Sequence, residues 1–254
     1  MPESKILISG PDGAVAEAVI YPDTSSLITG AADLIGREAI EAIAQRGRFA
    51  VTLSGGNTPK PIYERLAKAA GIDWTRVQIF FGDERCVPPG DQRSNYNMAK
   101  AALLDHVSIP PGNVHRMHGE EDPETAAADY RSVLERALGT EGRFDLVLLG
   151  LGDNGHTASL FPGLAAVTEA NRTVMALYVE VVGMWRLTLT PPIINAARRV
   201  AFLAEGSGKA EVLYRVLQGP RQPIVLPAQA IRPTEQLALW LIDAAAAGKL
   251  QRPA

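Results

Sequence analysis

The chain repeats one arrangement, in which a short apolar run ends at a glycine-rich or charged loop and a helical pattern follows. The clearest runs, 49–53 and 145–149, both end in leucine, directly before Ser54-Gly55-Gly56 and Gly150-Leu151-Gly152. Continuous apolar runs of this length, bounded by glycine, are typical of strands buried in a parallel sheet. Because strands and helices alternate along the whole chain, the sequence predicts an α/β fold with a mostly parallel sheet and helices on both faces.

The remaining elements follow from periodicity and from capping residues. Apolar runs within 6–20, on either side of a turn at 10–13, predict a hairpin. Ser94 and Asp122 are predicted N-caps, and Pro123 fits a first helical position. Further strands are predicted at 77–81, 173–179, 186–190 and 200–204, helices at 25–45, 59–70, 94–104, 122–138 and 209–217, and a strand that continues into a helix at 236–247. No stretch has the composition of a linker, so residues 1–254 are predicted to form a single domain.

The composition excludes several classes of protein. The chain has 254 residues, 46% of them hydrophobic, and a formal net charge of −3, so it can build a substantial core. It has no basic block for nucleic acid, and no apolar run approaches the ~18 residues of a membrane span. The N-terminal residues lack the layout of a signal peptide, and the single cysteine, Cys86, excludes an internal disulfide. We expect a cytoplasmic protein, a monomer, with no nucleic-acid or membrane partner.

The first glycine-rich loop has the features of an anion-binding turn. Gly55 and Gly56 permit backbone geometry and close approach that a side chain would block. Thr58 is a predicted N-cap and Pro59 fits the first helical position, so a strand, a glycine turn and a helix N-terminus follow one another. Free amide groups at such an N-terminus favour a phosphate. An ordinary strand-to-helix turn explains these residues equally well, and the spacing of a P-loop is absent.

The second glycine-rich loop presents a histidine. Gly150, Gly152 and Gly155 match G-x-G-x-x-G, but Pro162-Gly163 interrupts the long helix that a dinucleotide site requires. His156 follows the glycine turn at the end of a strand, so we expect it to project into a site, where histidine can exchange a proton near neutral pH. A loop histidine that only forms hydrogen bonds is the alternative.

Charged residues follow two further strands. Asp83, Glu84 and Arg85 come directly after one of them, and Lys209 comes after the other and a glycine turn. Arg85 can hold an oxyanion with two hydrogen bonds, and either Asp83 or Glu84 can hold a histidine or a hydroxyl. Lys209, and Arg186 at the start of a strand, are either anion-binding cations or exposed surface residues. Loops after parallel strands converge on one edge of a sheet, which favours a shared site.

Three other patterns are weaker. His115-x-x-His118 has the spacing of a metal site, but no convincing set of further ligands accompanies it, so we expect no bound metal. Cys86 is expected to be a buried, inert cysteine rather than a reactive thiol. The chain contains no G-x-S-x-G, which excludes the nucleophile elbow of a serine hydrolase.

Taken in series, the motifs resemble those of the 6-phosphogluconolactonase family. They are Leu53-Ser54-Gly55-Gly56-Asn57-Thr58-Pro59, Phe81-Gly82-Asp83-Glu84-Arg85 with Ser94-Asn95-Tyr96, the stretch 150–163, Arg186-Leu187-Thr188-Leu189-Thr190 with Asn195-Ala196-Ala197-Arg198, and Gly208-Lys209-Ala210. The resemblance covers nearly the whole chain in the right order. One departure is the segment 181–185, where members of the family usually carry a proline-rich stretch.

The resemblance implies a Rossmann-like α/β fold, related to the glucosamine-6-phosphate deaminases, and a reaction. The reaction is hydrolysis of 6-phospho-D-glucono-1,5-lactone to 6-phosphogluconate in the pentose phosphate pathway, with no cofactor or metal. It implies that His156 is the general base that activates water and that Asp83 orients or electrostatically supports the site. The residues that the resemblance assigns to substrate binding are Ser54, Gly55, Gly56, Thr58, Arg85, Arg186 and Lys209.

Three alternatives remain open. They are a sugar-phosphate isomerase or deaminase on the same fold, a non-catalytic sugar-phosphate sensor and a nucleotide-binding oxidoreductase. The related deaminases carry an acidic residue just before the glycine-to-histidine step of the second loop, and a glutamate a few residues after the histidine. The corresponding residues here are Asn154 and Phe161. Neither side chain can shuttle a proton at pH 7, so the resemblance favours the lactonase over the deaminase.

Overall fold

The computed structural model describes residues 4–251, and within them ten strands form two sheets. The strands are β1 (Ser4–Ser9), β2 (Val15–Tyr21), β3 (Phe49–Leu53), β4 (Val77–Phe81), β5 (Asp83–Arg85), β6 (Leu146–Gly150), β7 (Val174–Val179), β8 (Met184–Leu189), β9 (Arg199–Ala204) and β10 (Leu239–Asp243). The main sheet has the order β1-β2-β10-β9-β6-β3-β4. Its neighbours are parallel except β1 and β2, which form the predicted hairpin.

Residues 4–251 form six α-helices, and only some of these have a side-chain cap at the N-terminus. They are α1 (Thr24–Arg46), α2 (Pro59–Leu66), α3 (Asn95–Ala102), α4 (Pro123–Leu138), α5 (Pro191–Asn195) and α6 (Ala210–Gln218). The carboxylate of Asp23 accepts a hydrogen bond from the backbone N–H of Ser26 at 2.7 Å, and α1 ends at Gly47, which has a φ of 74°. Asp122 caps α4 in the same way, as predicted, with Pro123 at the first helical position.

The main sheet is covered on both faces, which explains why its central strands β3, β6 and β9 are mostly apolar. In β3, Phe49 and Val51 pack into the core that contains α1, α2 and α3, whereas Ala50 packs into the opposite core with α4, α6 and the smaller sheet. Successive residues of a strand point to opposite faces, so a strand between two cores must be apolar on both sides. The predicted fold class, a mostly parallel sheet with helices on both faces, is confirmed.

The strands predicted at 173–179 and 186–190 are present as β7 and β8, but they do not extend the parallel sheet. With β5 they form a separate antiparallel sheet in the order β5-β8-β7, which the sequence reasoning did not anticipate. Residues 180–183 alone connect β7 to β8, and Gly183 has a φ of 59°. Parallel neighbours need a connection of about a dozen residues or more, so this link permits only a hairpin.

Several helix boundaries differ from the prediction. Helix α2 ends at Leu66 rather than near residue 70. The backbone N–H groups of Lys68 and Ala69 donate to carbonyls three residues back, as in a 3₁₀ turn, instead of four residues back as in an α-helix. Helix α3 ends at Ala102 rather than 104. Strand β10 confirms the predicted strand in the tail, but the helix predicted after it is only a 3₁₀ turn at Ala246–Lys249. The short helix α5 was not predicted.

The carboxyl ends of four strands of the main sheet lie side by side. Strands β9, β6, β3 and β4 are consecutive neighbours in the sheet and run parallel, so the loops that follow them meet at one edge. These are the four loops that the sequence singled out. None of the helices formed by residues 4–251 has the length and apolar character needed to cross a membrane.

Candidate active site

A cavity of about 560 Å³ opens at this edge of the main sheet. It is bounded by the loops after β3, β4, β6 and β9 and by strand β8 of the smaller sheet. Every residue that the sequence assigned to catalysis or substrate binding lines it: Ser54, Gly55, Gly56, Thr58, Asp83, Arg85, His156, Arg186 and Lys209. The cavity therefore combines a histidine, a carboxylate, three cationic side chains and a glycine turn.

The glycine loop is shaped by close contacts around Ser54 and Gly55. The hydroxyl of Tyr63 bonds to both the backbone N–H and the carbonyl of Ser54, each at 2.9 Å. A Cβ added at Gly55 would lie 1.8 Å from the side-chain oxygen of Asn95, so only glycine fits there. Gly56 has a φ of 105°, which also favours glycine. The Oγ of Ser54 is buried and has no hydrogen-bond partner among the described residues.

Thr58 does not cap α2 as the sequence predicted. Its backbone is already helical, with φ of −63° and ψ of −46°, and its side chain makes no capping hydrogen bond. An N-cap residue needs extended backbone for its side chain to turn back onto the helix amides. The N-terminus of α2 is therefore open toward the cavity, without a side chain of its own over it.

Asp83 is held rigidly although it faces the cavity. One carboxylate oxygen accepts a hydrogen bond from the hydroxyl of Ser159 at 2.7 Å, and the other accepts from the amide of Asn95 at 3.1 Å. Ser159 is fully buried, and its backbone N–H donates to the hydroxyl of Thr188. Ala158, just before it, has a φ of 47°, the one positive φ at a residue other than glycine within 4–251. Such backbone is costly and persists where its surroundings impose it.

Glu84 faces away from the cavity. Its carboxylate accepts hydrogen bonds from the backbone amides of Asn95 and Tyr96 and from the hydroxyl of Ser94, all at the start of α3. Burial raises the pKa of Glu84, and these hydrogen bonds oppose that shift. The sequence left open which of the two acids faces the site. Because adjacent residues of a strand point to opposite sides, Asp83 does so and Glu84 anchors α3.

Two arginines reach the cavity from the smaller sheet. Arg85 donates from Nη1 to the carbonyl of Arg93. The Nε atoms of Arg85 and Arg186 are both buried without a hydrogen-bond partner among the described residues. Burial is the main influence on Arg186 and lowers its pKa, while the nearby carboxylate of Asp83 opposes this. A buried polar group without a partner is unfavourable, which makes both guanidinium groups receptive to an anion.

His156 is fixed in the loop after β6 by packing. Its ring stacks on Phe161, with ring centroids 4.1 Å apart and planes inclined by 15°. A Cβ at Gly152 would lie 2.0 Å from the ring, so glycine is required beneath it.

Burial lowers the pKa of His156. The positive charges of Lys209 and Arg186 lower this pKa further, whereas the negative charges of Asp83 and Asp153 oppose the shift. The lowered pKa favours the neutral ring at neutral pH, and this is the form that accepts a proton.

The glycines of this loop do not form a dinucleotide fingerprint. After β6 the chain forms turns rather than an α-helix, and the first helical residues are a 3₁₀ turn at Ala165–Thr168. The dinucleotide motif requires its third glycine to open a helix whose N-terminus holds the pyrophosphate. In this chain Gly152 instead leaves room for the ring of His156.

Lys209 lies at the mouth of the cavity, just before α6. Its ammonium group forms an ion pair with the carboxylate of Asp153, which lowers the pKa of that acid. The side chain of Asp153 is 87% exposed and that of Lys209 is half-buried, so solvent screens the pair from the side of the acid and the pair contributes little to stability. Lys209 can therefore exchange this partner for a bound anion at small cost.

The two histidines with metal-like spacing and the single cysteine lie outside the cavity. His115 bonds to the side chain of Gln78 at 2.7 Å and stacks on Phe80, while His118 pairs with Glu121. Residues 4–251 contain no group of three or more side chains arranged to hold a metal ion. Cys86 is half-buried, and burial raises the pKa of its thiol to about 11, which makes it a poor nucleophile.

Sequence reasoning missed part of the supporting structure. Asn95, Ser159 and Phe161 stood within the recognised motifs but received no structural role, and Asn154 was considered only as a missing acid. Glu205 lines the cavity and was not noticed. Its position directly after β9 was the available signal, since side chains at the carboxyl ends of neighbouring parallel strands converge.

The fold and the cavity define an α/β protein with a cavity at the carboxyl edge of a parallel sheet, in which three cationic side chains and a glycine turn lie near a histidine. Residues 22–240 match the model of the family described as glucosamine-6-phosphate isomerases/6-phosphogluconolactonase. The chain belongs to this family, as its motifs predicted.

Individual relatives cover most of the chain. A 6-phosphogluconolactonase from Nostoc sp. is 40% identical over 236 residues, which are 91% of this chain and 97% of the relative. The solved structure of the 6-phosphogluconolactonase from Trypanosoma cruzi has a TM-score of 0.82 and 30% identity, and covers 92% of this chain and 96% of that one. A monomeric glucosamine-6-phosphate deaminase has a TM-score of 0.78 at 21% identity over 92% of this chain and 99% of its own, and shares the fold.

Proposed function

We propose that this chain is a 6-phosphogluconolactonase, which hydrolyses 6-phospho-D-glucono-1,5-lactone to 6-phospho-D-gluconate in the pentose phosphate pathway. The observation that carries the proposal is a half-buried histidine, with a pKa lowered by burial, in one cavity with three cationic side chains and a glycine turn. The relatives named 6-phosphogluconolactonase, similar over nearly the whole chain, support it.

The cavity holds the substrate by its phosphate group. The amides of the loop around Gly55 and Gly56 and the open N-terminus of α2 provide donors, and Arg85 and Lys209 provide positive charge. The buried hydroxyl of Ser54, which has no partner among the described residues, provides a further donor. Binding energy at the phosphate then fixes the lactone ring next to the histidine.

His156 acts as the general base. Its ring takes a proton from a water molecule as the water oxygen attacks the lactone carbonyl carbon, which gives a tetrahedral oxyanion. When that intermediate collapses, the bond between the carbonyl carbon and the ring oxygen breaks, and the histidine returns the proton to the leaving oxygen. A positioned base contributes about 10²–10⁴-fold, which suits an ester that already hydrolyses in water.

Asp83 and Arg186 complete the reacting end of the cavity. Asp83, fixed by Ser159 and Asn95, stabilises the imidazolium that forms when His156 takes the proton. Arg186 binds the substrate beside it, where its guanidinium also faces the negative charge that develops on the carbonyl oxygen. We further propose that residues 1–254 act as a single-domain cytoplasmic monomer.

The direct test is an assay of lactone consumption by the purified chain. The rate with the 6-phosphorylated lactone should exceed spontaneous hydrolysis in proportion to protein concentration, and unphosphorylated gluconolactone should be a poor substrate. A sugar-phosphate sensor would bind 6-phosphogluconate without any such rate, and an oxidoreductase would bind a nicotinamide cofactor.

A further inference from the structure

The ring of His156 has one hydrogen-bond partner among the described residues, and that partner is Asn154. The side-chain oxygen of Asn154 lies 2.6 Å from Nδ1 of the ring and 3.2 Å from the backbone nitrogen of His156. A backbone N–H only donates, so the atom that it meets is an acceptor, which fixes the end of the amide that faces the ring. Nδ1 must therefore carry the proton, and the lone pair lies on Nε2.

Packing alone does not select this tautomer. Phe161 stacks on the face of the ring and Gly152 leaves room beneath it, but neither distinguishes one ring nitrogen from the other. Without an acceptor at Nδ1, the proton is free to move to Nε2. The tautomer of the ring therefore depends on Asn154.

The amide also adds no charge next to the ring. Four charged groups act on His156: Asp83 on β5, Arg186 on β8, Lys209 before α6, and Asp153 in the same loop as the histidine. Arg85 and Glu205 also line the cavity. Two of the four groups that act on the ring are cations and two are anions, so their effects largely oppose each other. A carboxylate at 154, the same size as the amide, would be a third anion and in direct contact with Nδ1.

We propose that Asn154 is a positioning residue that fixes the Nδ1–H tautomer of His156 and so presents the lone pair of Nε2 to the cavity. This role rests on the proposed function of His156 as the base. As an uncharged acceptor, Asn154 selects the tautomer and stabilises the imidazolium less than a carboxylate would, so the histidine stays available as a base to lower pH than it would beside an aspartate.

Nitrogen-15 NMR of the ligand-free protein tests the tautomer without any measurement of activity. The resonances of His156 are assigned by comparison with His156→Gln, since the chain has three other histidines. We expect the parent to show the Nδ1–H form at neutral pH. Asn154→Asp should show the same form at mildly alkaline pH. Asn154→Ala should show a mixture or the Nε2–H form. An Nε2–H parent, or an alanine variant with the parent tautomer, would overturn the proposal.

Kinetics separate positioning from a merely structural role. In Asn154→Ala we expect kcat to fall roughly 10-fold or more, within the ~10²–10⁴-fold value of a base, with little change in KM. In Asn154→Asp the acceptor is kept, so kcat at alkaline pH should match the parent. Its acid limb should move to higher pH by about one unit or more, because an adjacent anion favours the protonated ring.

The same two substitutions at Asn171, an exposed residue outside the cavity, are the matched controls and should change neither kcat nor the pH profile. Unchanged kinetics in both Asn154 variants would contradict the proposal. A parent protein with the Nδ1–H tautomer but no lactone hydrolysis would instead contradict the proposed function alone.

Discussion

Arg85 and Arg186 are direct partners in the antiparallel register of β5 and β8, so two guanidinium groups lie side by side at the cavity. Like charges placed opposite each other destabilise a pair of strands. Both Nε atoms are also buried without a partner among the described residues. The fold thus tolerates an unfavourable arrangement at this point, which is typical of a site built for an anionic ligand.

We expect Arg186→Met to bind 6-phosphogluconate more weakly without destabilising the free protein. Methionine keeps most of the apolar stem but removes one of the paired charges, and exchange of a buried ion for an apolar group is often neutral or stabilising. Thermal unfolding with and without 6-phosphogluconate checks both effects. The free variant should unfold at or above the temperature of the parent, with a smaller shift on adding ligand. A lower unfolding temperature with an unchanged ligand shift would show that Arg186 is structural.

Arg85→Ala and Lys209→Ala should each weaken binding of the phosphorylated ligand by roughly 1.5–3 kcal/mol, the value of a charge-assisted contact. Calorimetric titration with 6-phosphogluconate measures this loss, and the hydrolysis of unphosphorylated gluconolactone should be much less affected. Lys249→Ala is the control for Lys209, since Lys249 also pairs with an exposed acid but lies outside the cavity. Equal losses on both lactones would mean that these cations do not hold the phosphate.

The main sheet could be predicted because its signal is local. Strand β3 is apolar at every position except Thr52 and is soon followed by glycines, and the burial of both faces favours such a run. The smaller sheet was missed because β5 is only three residues long and is entirely polar, Asp83-Glu84-Arg85. Its pairing with β8 joins residues about a hundred positions apart, and no periodicity within three residues reveals such a partner.

That the proposed residues line one cavity could be predicted, but not the contacts that support them. The order of the motifs indicated which loops converge, and all nine proposed residues do line one cavity. Thr58 was wrongly taken as a cap because propensity favours threonine there, whereas its backbone is already helical and its side chain makes no capping hydrogen bond. The contacts of Ser159 with Asp83 and of Asn154 with His156 depend on loop geometry that side-chain type alone does not define.

The rate should depend on pH through His156. The base must be neutral to act, and burial lowers its pKa below the usual value of about 6.5 for histidine, so kcat/KM should rise with pH through a midpoint below that value and then level off. A pH series corrected for spontaneous hydrolysis measures the midpoint. His118→Gln, which alters an exposed histidine outside the cavity, should keep the same profile. A midpoint well above 6.5 would contradict a half-buried base with a lowered pKa.

Glucosamine 6-phosphate should not be deaminated. Deamination requires further acid–base groups for ring opening and proton transfer. Where the related deaminases carry acidic residues, this chain has the amide Asn154 and the aromatic residue Phe161, which stacks on the histidine. The amino sugar should bind weakly through its phosphate without release of ammonia, even at high protein concentration. Ammonia release that depends on His156 would place the chain in the deaminase branch of its family.

The most direct test is the kcat of His156→Ala with 6-phospho-D-glucono-1,5-lactone, corrected for spontaneous hydrolysis and compared with the parent. Circular dichroism and thermal unfolding establish that the variant is folded, and titration with 6-phosphogluconate establishes that its phosphate site is intact. We expect kcat to fall by about 10²-fold or more while affinity for the phosphorylated product stays close to that of the parent. A folded variant that binds the product and keeps near-parental kcat would show that His156 is not the base.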